Sequence, residues 1–180
     1  LAPIARLIAT GLTPVVNNTL IKIGDIIQSS TDTNPLIMGI VLGGIITVVG
    51  TAPLSSMALT ALLGLTGAPM AIGAMAAFSS AFMNSALFHR LKLGDRKSTI
   101  SVGIEPLSQA DIVSANPIPI YVTNFFGGAI AGIIIAWSGM INNATGTATP
   151  IAGFLVMFGF NSLTKVIIYG VVMAIIGTIA

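Results

Sequence analysis

Glu105 and Asp111 are two of only five carboxylates in 180 residues, and both fall in one polar, proline-broken stretch, residues 98–119. The same stretch holds Ser108, Gln109 and Asn116. A carboxylate accepts from two hydroxyls at once, and hydroxyl and amide neighbours add donors. The chemistry these residue types support is hydrogen bonding to a neutral, polyhydroxylated solute. Gly103-Ile104-Glu105-Pro106 supplies the mechanics. Glycine permits an unusual backbone angle and proline ends helical pairing, which frees amides and carbonyls to bind. A second reading stays open, in which Glu105 sits in a solvated loop continuous with the basic run before it. In that reading Ser108, Gln109, Asp111 and Asn116 cap short helices or satisfy a broken backbone. Asn116-Pro117-Ile118-Pro119 reads chiefly as setting the entry angle of the next helix.

Other chemistries find no material. There is no cysteine, so disulfides and thiolate catalysis are excluded, and His89 is the only histidine. One imidazole without thiolates builds no metal site. Neither a Walker pattern nor a serine-nucleophile elbow is present, and no cofactor is expected. His89 reads as a solvated interfacial residue beside Arg90 and Lys92. Lys165, inside an apolar run, either snorkels to an interface or pairs with a buried carboxylate.

The elements that must position these groups are membrane elements. The chain is 54% hydrophobic and 7% charged, with a mean hydropathy of +1.00, far from the roughly one-quarter charged composition of soluble domains. Bare carboxylates are costly at membrane depth, and broken backbone survives there only where protein shields it or it lines a cavity. That makes the 98–119 stretch a candidate solute site. The formal charge of +2 rests on seven Lys and Arg. Arg90, Lys92, Arg96 and Lys97 share the loop 89–97, which places it in the cytoplasm and makes nucleic-acid binding an unneeded explanation.

Apolar runs predict spans over 36–52, 71–88 and 120–141, with a span and a second partial span in 150–180. Pro53 is expected to stop or kink the first. Residues 54–65 are too short to cross, being either a half-helix that dips in and returns or the continuation of a kinked span. Residues 1–28 read as an interfacial helix or the end of a span plus a connector, and 142–149 as an outside loop. Gly73, Ala77 and Ala81, and Gly128 with Gly132, recur at the spacing that permits close helix contact. Broken pieces near 36–65 and 98–141 form a loose echo of the kind found at transporter sites. The expected fold is an all-α integral membrane protein, a multi-span helical bundle with broken or re-entrant segments. Residues 1–180 form a single transmembrane region without a soluble domain, expected to be a fragment of a longer protein.

Several of these segments carry a resemblance: the apolar run into Pro53-Leu54-Ser55-Ser56, the Ala/Gly/Met-rich span 67–88, the basic turn, and Asn116-Pro117-Ile118-Pro119. Together they resemble the membrane-embedded IIC component of the bacterial phosphoenolpyruvate-dependent sugar phosphotransferase system, in the branch of the perfringolysin O regulator-like proteins. Gly103-Ile104-Glu105-Pro106 is similar to the Gly-Ile-Thr-Glu-Pro motif of the glucose-type members, without its threonine. The resemblance implies a homodimeric, elevator-type sugar permease of the bacterial cytoplasmic membrane. It would bind a sugar or polyol and work with cytoplasmic IIB and IIA phosphocarriers. Glu105 would be the sugar ligand, and Gly103 and Pro106 would shape its loop. The phosphoryl donor would have to come from the IIB partner, and the basic loop would favour an acidic or phosphorylated partner. Two further readings are a membrane regulator without transport and an ion-coupled small-solute carrier.

Overall fold

The computed structural model describes residues 10, 14, 18, 19, 21–27, 29, 30, 34–52 and 54–180. Among these residues the protein is all-helical, without a strand. Helix α1 spans Pro35–Thr51, α2 Ser56–Leu62, α3 Gly67–Leu91, α4 Arg96–Ile104, α5 Ala110–Ala115, α6 Pro117–Ser138, α7 Pro150–Val156 and α8 Leu163–Ile179. Single 3₁₀ turns, Pro106–Gln109 and Met157–Gly159, join α4 to α5 and extend α7. Most of the connector expected over 1–28 lies outside the described residues, as does Pro53. Residues 21–27 are helical, with Ile27 in the core and Lys22 and Asp25 exposed.

Local chemistry sets the element ends. Asn34, Ser55, Asp95 and Thr149 each accept a backbone N–H of the helix that follows, at 2.9, 3.1, 2.7 and 3.0 Å. These are N-cap residues, and Pro35 and Pro150 occupy first-turn positions where a missing N–H costs nothing. Helix α6 starts on Pro117 and stops at Gly139, whose φ of 65° ends the helical ladder. Two helices, α3 and α6, are long and apolar enough to cross a membrane; α1 and α8 are shorter apolar helices.

The contacts fix the directions of travel. Helix α1 runs antiparallel to α6: Gly39 abuts Ile133, Gly43 abuts Gly128 and Gly132, and Thr47 Oγ1 donates to Asn124 O at 2.7 Å. The start of α3 meets the loop after α6, since Asn142 N donates to Gly67 O and Gly67 N to Asn143 Oδ1. Both α1 and α3 therefore begin at the same end of the bundle, and α2 must bring the chain back. Ser56 lies against Gly50, and Met57 and Ala61 lie against Gly146 in the α6–α7 loop. Residues 54–65 therefore do not continue α1 but turn back towards the end at which it begins.

Two further hairpins enter from opposite ends. Residues 96–115 descend beside α3 from its C-terminal end, with Ser85 Oγ donating to Thr99 O at 3.0 Å and Gly103 against Ala81 O. Residues 142–161 enter from the other end. Ala148 reaches Gly73, Gly153 reaches Ala74, and Phe154 stacks on Phe78 with ring centroids 4.2 Å apart. That hairpin then returns, and Asn161 Nδ2 donates to Ile141 O at 2.8 Å.

The core is built of small and soft residues. Every methionine except Met57 is buried. Methionine fills the irregular gaps left where helices approach on glycine and alanine. Outward faces of α6 and α8 are apolar, including Phe126, Trp137, Ile168 and Ile175.

Lys92 is the only non-glycine residue at positive φ among the described residues, at φ 54°. It closes α3, with Leu93 N donating to Phe88 O at 2.9 Å. Glycine is the usual occupant of this position, because a Cβ there costs roughly 1–2 kcal/mol. Lys92→Gly is expected to stabilise the protein by about 1 kcal/mol in thermal or denaturant unfolding.

Candidate functional site

The tips of the two opposed hairpins meet beside the middle of α3. Glu105 ends α4 in an extended conformation, φ −144° and ψ 99°, and Pro106 opens the 3₁₀ turn. Across from it, Thr149 and Pro150 open α7 in the same way. The break between α1 and α2 completes the wall. Glu105, Pro106, Thr149, Pro150, Ser55 and Ser56 all line one cavity of about 80 Å³, floored by Ala77 and Ser80 of α3. Three interruptions of helix, far apart in sequence, thus face one space at mid-span.

Hydrogen-bond accounting shows what this space offers. Ser56 Oγ donates to Ala148 O at 2.7 Å and Ser80 Oγ to Ala77 O at 2.8 Å, so both hydroxyl protons are committed. Ser55 and Thr149 instead accept backbone N–H groups as caps, and among the described residues their hydroxyl protons have no acceptor. Glu105 Oε1 accepts weakly from Leu107 N at 3.4 Å, leaving the carboxylate able to accept more. An anionic acceptor with hydroxyl donors around it suits a ligand that carries several hydroxyls.

Of the residues singled out from sequence, the structure brings Glu105 and Pro106 to the cavity. Gly103 lies two residues back, inside α4. Its backbone is ordinary helix rather than an unusual angle, and its role is close approach, because a Cβ would meet Ser85 Oγ and Ala81 O. Gln109, Asp111 and Asn116 do not line the cavity. Gln109 Nε2 donates to Ser108 O at 2.8 Å, Asn116 Nδ2 donates to Ile112 O at 3.0 Å, and Asp111 is exposed in the first turn of α5. His89 is exposed at the far end of α3. No ion pair to Lys165 occurs among the described residues, and its Nζ approaches Gly139 at the end of α6, so snorkelling describes it better than pairing.

Sequence reasoning missed Ser55, Ser80 and Thr149. Thr149-Pro150 carried a usable signal, since a polar cap followed by proline repeats the Glu105-Pro106 arrangement. Beside the cavity lies a second polar feature that sequence reasoning also missed. Asn124 Nδ2 donates to Asn84 Oδ1 at 2.7 Å, Asn84 Nδ2 to Thr51 Oγ1 at 3.1 Å, and Thr51 Oγ1 to Asn124 Oδ1 at 3.3 Å. The ring joins α1, α3 and α6 and is fully buried. Asn124 Nδ2 also donates to Ile120 O at 2.9 Å. Each amide is satisfied, and among the described residues no buried side-chain polar atom lacks a partner. Uncharged polar residues within apolar spans were the signal.

A protein-family model described as "Phosphotransferase system, EIIC" matches residues 1–180. No curated protein and no solved structure matches the chain.

Proposed function

This chain belongs to the EIIC family of the phosphotransferase system and is thus of a membrane-component family, and from that premise we propose that it binds and translocates a sugar or polyol at the Glu105 cavity. The observation that carries this reading is the meeting of the Glu105-Pro106 and Thr149-Pro150 tips, entering from opposite ends, at the middle of α3. Opposed broken helices around a midplane site are a recurring basis of alternating access. Glu105 accepts from sugar hydroxyls, while the Ser55 and Thr149 hydroxyls donate. Gly103 lets α4 lie close enough to α3 to hold Glu105 there.

The cavity, at about 80 Å³, is smaller than the roughly 300–1,000 Å³ of typical ligand sites. The tips therefore part to admit a hexose and close over it. We take the moving unit to be of elevator type, working in a homodimer in the bacterial cytoplasmic membrane as a regulator-like branch member. Cytoplasmic IIB and IIA phosphocarriers are the partners the family implies. The chain has no cysteine, so it contributes positioning while a IIB partner brings the phosphoryl group.

The test is a thermal-shift titration of the purified protein with a panel of hexoses and hexitols, repeated on Glu105→Gln. At least one panel member is expected to stabilise the wild type, and Glu105→Gln is expected to bind it about 10- to 100-fold more weakly with its unliganded stability unchanged. Equal binding by both proteins would remove Glu105 from the site. Uptake into vesicles that persists without phosphoenolpyruvate but collapses with an uncoupler would replace phosphotransfer by ion coupling.

A further inference from the structure

Outside the cavity, the densest charge lies where α3 hands over to α4. His89, Lys92 and Arg96 line an open concavity of about 640 Å³, with Phe88 and Thr99 in its wall. The one acidic group there, Asp95, is turned to cap α4, accepting from Ser98 N at 2.7 Å. These hydrogen bonds from Ser98 hold its carboxyl below the ordinary range, so it stays ionised as a cap. Arg90 faces away, donating to Thr178 O at 2.8 Å.

Two observations point to a ligand. Lys92 lines the concavity from a left-handed backbone position at the end of α3, where the usual occupant is glycine. Arg96, Ile100 and Ile104 follow one another at four-residue spacing on α4, which stacks them on one face. All three are exposed, Ile100 at 55% and Ile104 at 53%. A cationic concavity thus sits at the head of an apolar stripe.

We propose that this surface binds an anionic phospholipid, with the headgroup phosphate in the concavity at Lys92 and Arg96 and an acyl chain along Ile100 and Ile104. Charge complementarity accounts for the head, and the stripe is what separates a lipid from an acidic protein, which would need the cations alone. Basic side chains at a membrane surface each contribute to holding anionic lipid, at a level of about fivefold in affinity. The site does not depend on Glu105 or on sugar binding.

The experiment uses the full chain purified in detergent, with unfolding temperature followed against added phosphatidylglycerol or phosphatidylcholine of matched acyl chains. Phosphatidylglycerol is expected to raise the unfolding temperature saturably and phosphatidylcholine is not. Arg96→Gln and Lys92→Gly are each expected to weaken the phosphatidylglycerol response about fivefold. Lys92→Gly should do so while raising the lipid-free unfolding temperature, which separates lost binding from damage to the fold. Ile104→Ser should weaken the response to long-chain phosphatidylglycerol and leave the response to a short-chain phosphatidylglycerol unchanged. Equal stabilisation by both lipids, or an unchanged phosphatidylglycerol response in both charge variants, would overturn the assignment. Displacement by millimolar inorganic phosphate would overturn it in favour of a free-anion site, and a response only to an acidic carrier protein would make the surface a protein dock.

Discussion

Gly43→Ala is expected to destabilise the protein by about 2–3 kcal/mol, although it adds a single methyl group. A Cβ at Gly43 would run into the carbonyl oxygen of Gly128 and lie 2.9 Å from Gly132 Cα. The reverse substitutions meet the same obstacle: Gly132 faces Gly39 O, and Gly128 faces Gly43 O and Thr47 Oγ1. These obstacles are mostly backbone, so no rotamer change relieves them. Helices α1 and α6 would have to separate along their whole contact. In a membrane, where lipid offers apolar side chains as good a solvent as protein, that close backbone approach is itself the source of association. Gly159→Ala is the control, because nothing lies within 4 Å of its added Cβ. It should fall within about 0.5 kcal/mol of wild type. Equal effects of the two substitutions in reversible detergent unfolding would remove the α1–α6 glycine contact as a determinant of the fold.

That contact shows how far sequence carried. Gly128 and Gly132 were visible as a small-residue pair, because their spacing places them on one helix face whatever lies opposite. Their partners Gly39 and Gly43 carry the same spacing, but only the fold pairs the two faces. Apolar runs located α1, α3 and α6 to within a few residues. The errors came from turn chemistry: Pro117 and Gly139 shift α6 to 117–138 from the expected 120–141. Glu105-Pro106 was legible as a break because proline and a carboxylate conflict with a continuous span. Thr149-Pro150 was not, since threonine in a polar loop conflicts with nothing locally. Its role emerges only when a hairpin from the far end brings it opposite Glu105. Likewise Gln109, Asp111 and Asn116 are near Glu105 in sequence yet do not line its cavity, because the 3₁₀ turn and α5 carry them back along the hairpin.

Breaking the buried amide ring is the second large effect expected. Asn124→Leu keeps the approximate volume but leaves Asn84 Oδ1 without its donor and Thr51 Oγ1 without its acceptor. An unsatisfied buried polar group costs about 1–3 kcal/mol, while measured hydrogen bonds between membrane helices average nearer 0.6 kcal/mol because the loosened groups find other partners. Two orphaned groups in a fully buried ring place the expected loss at about 2 kcal/mol. Thr51 can recover part of its share by bonding a carbonyl one turn back in α1, as Thr60 does to Ser56 O at 2.8 Å in α2. Asn84 has no such local refuge, so most of the loss should reside in the Asn84–Asn124 bond. A double-mutant cycle of Asn84→Ala and Asn124→Ala isolates it, and a coupling of about 1–2 kcal/mol is expected. Strict additivity would mean the ring contributes nothing beyond packing. The consequence reaches the cavity as well, because Thr51 follows Gly50, which lines its wall. A loosened ring frees the end of α1 just where the chain turns into Ser55 and Ser56. The same variants should therefore weaken whichever hexose or hexitol stabilises the wild type, whereas Gly159→Ala should leave it untouched.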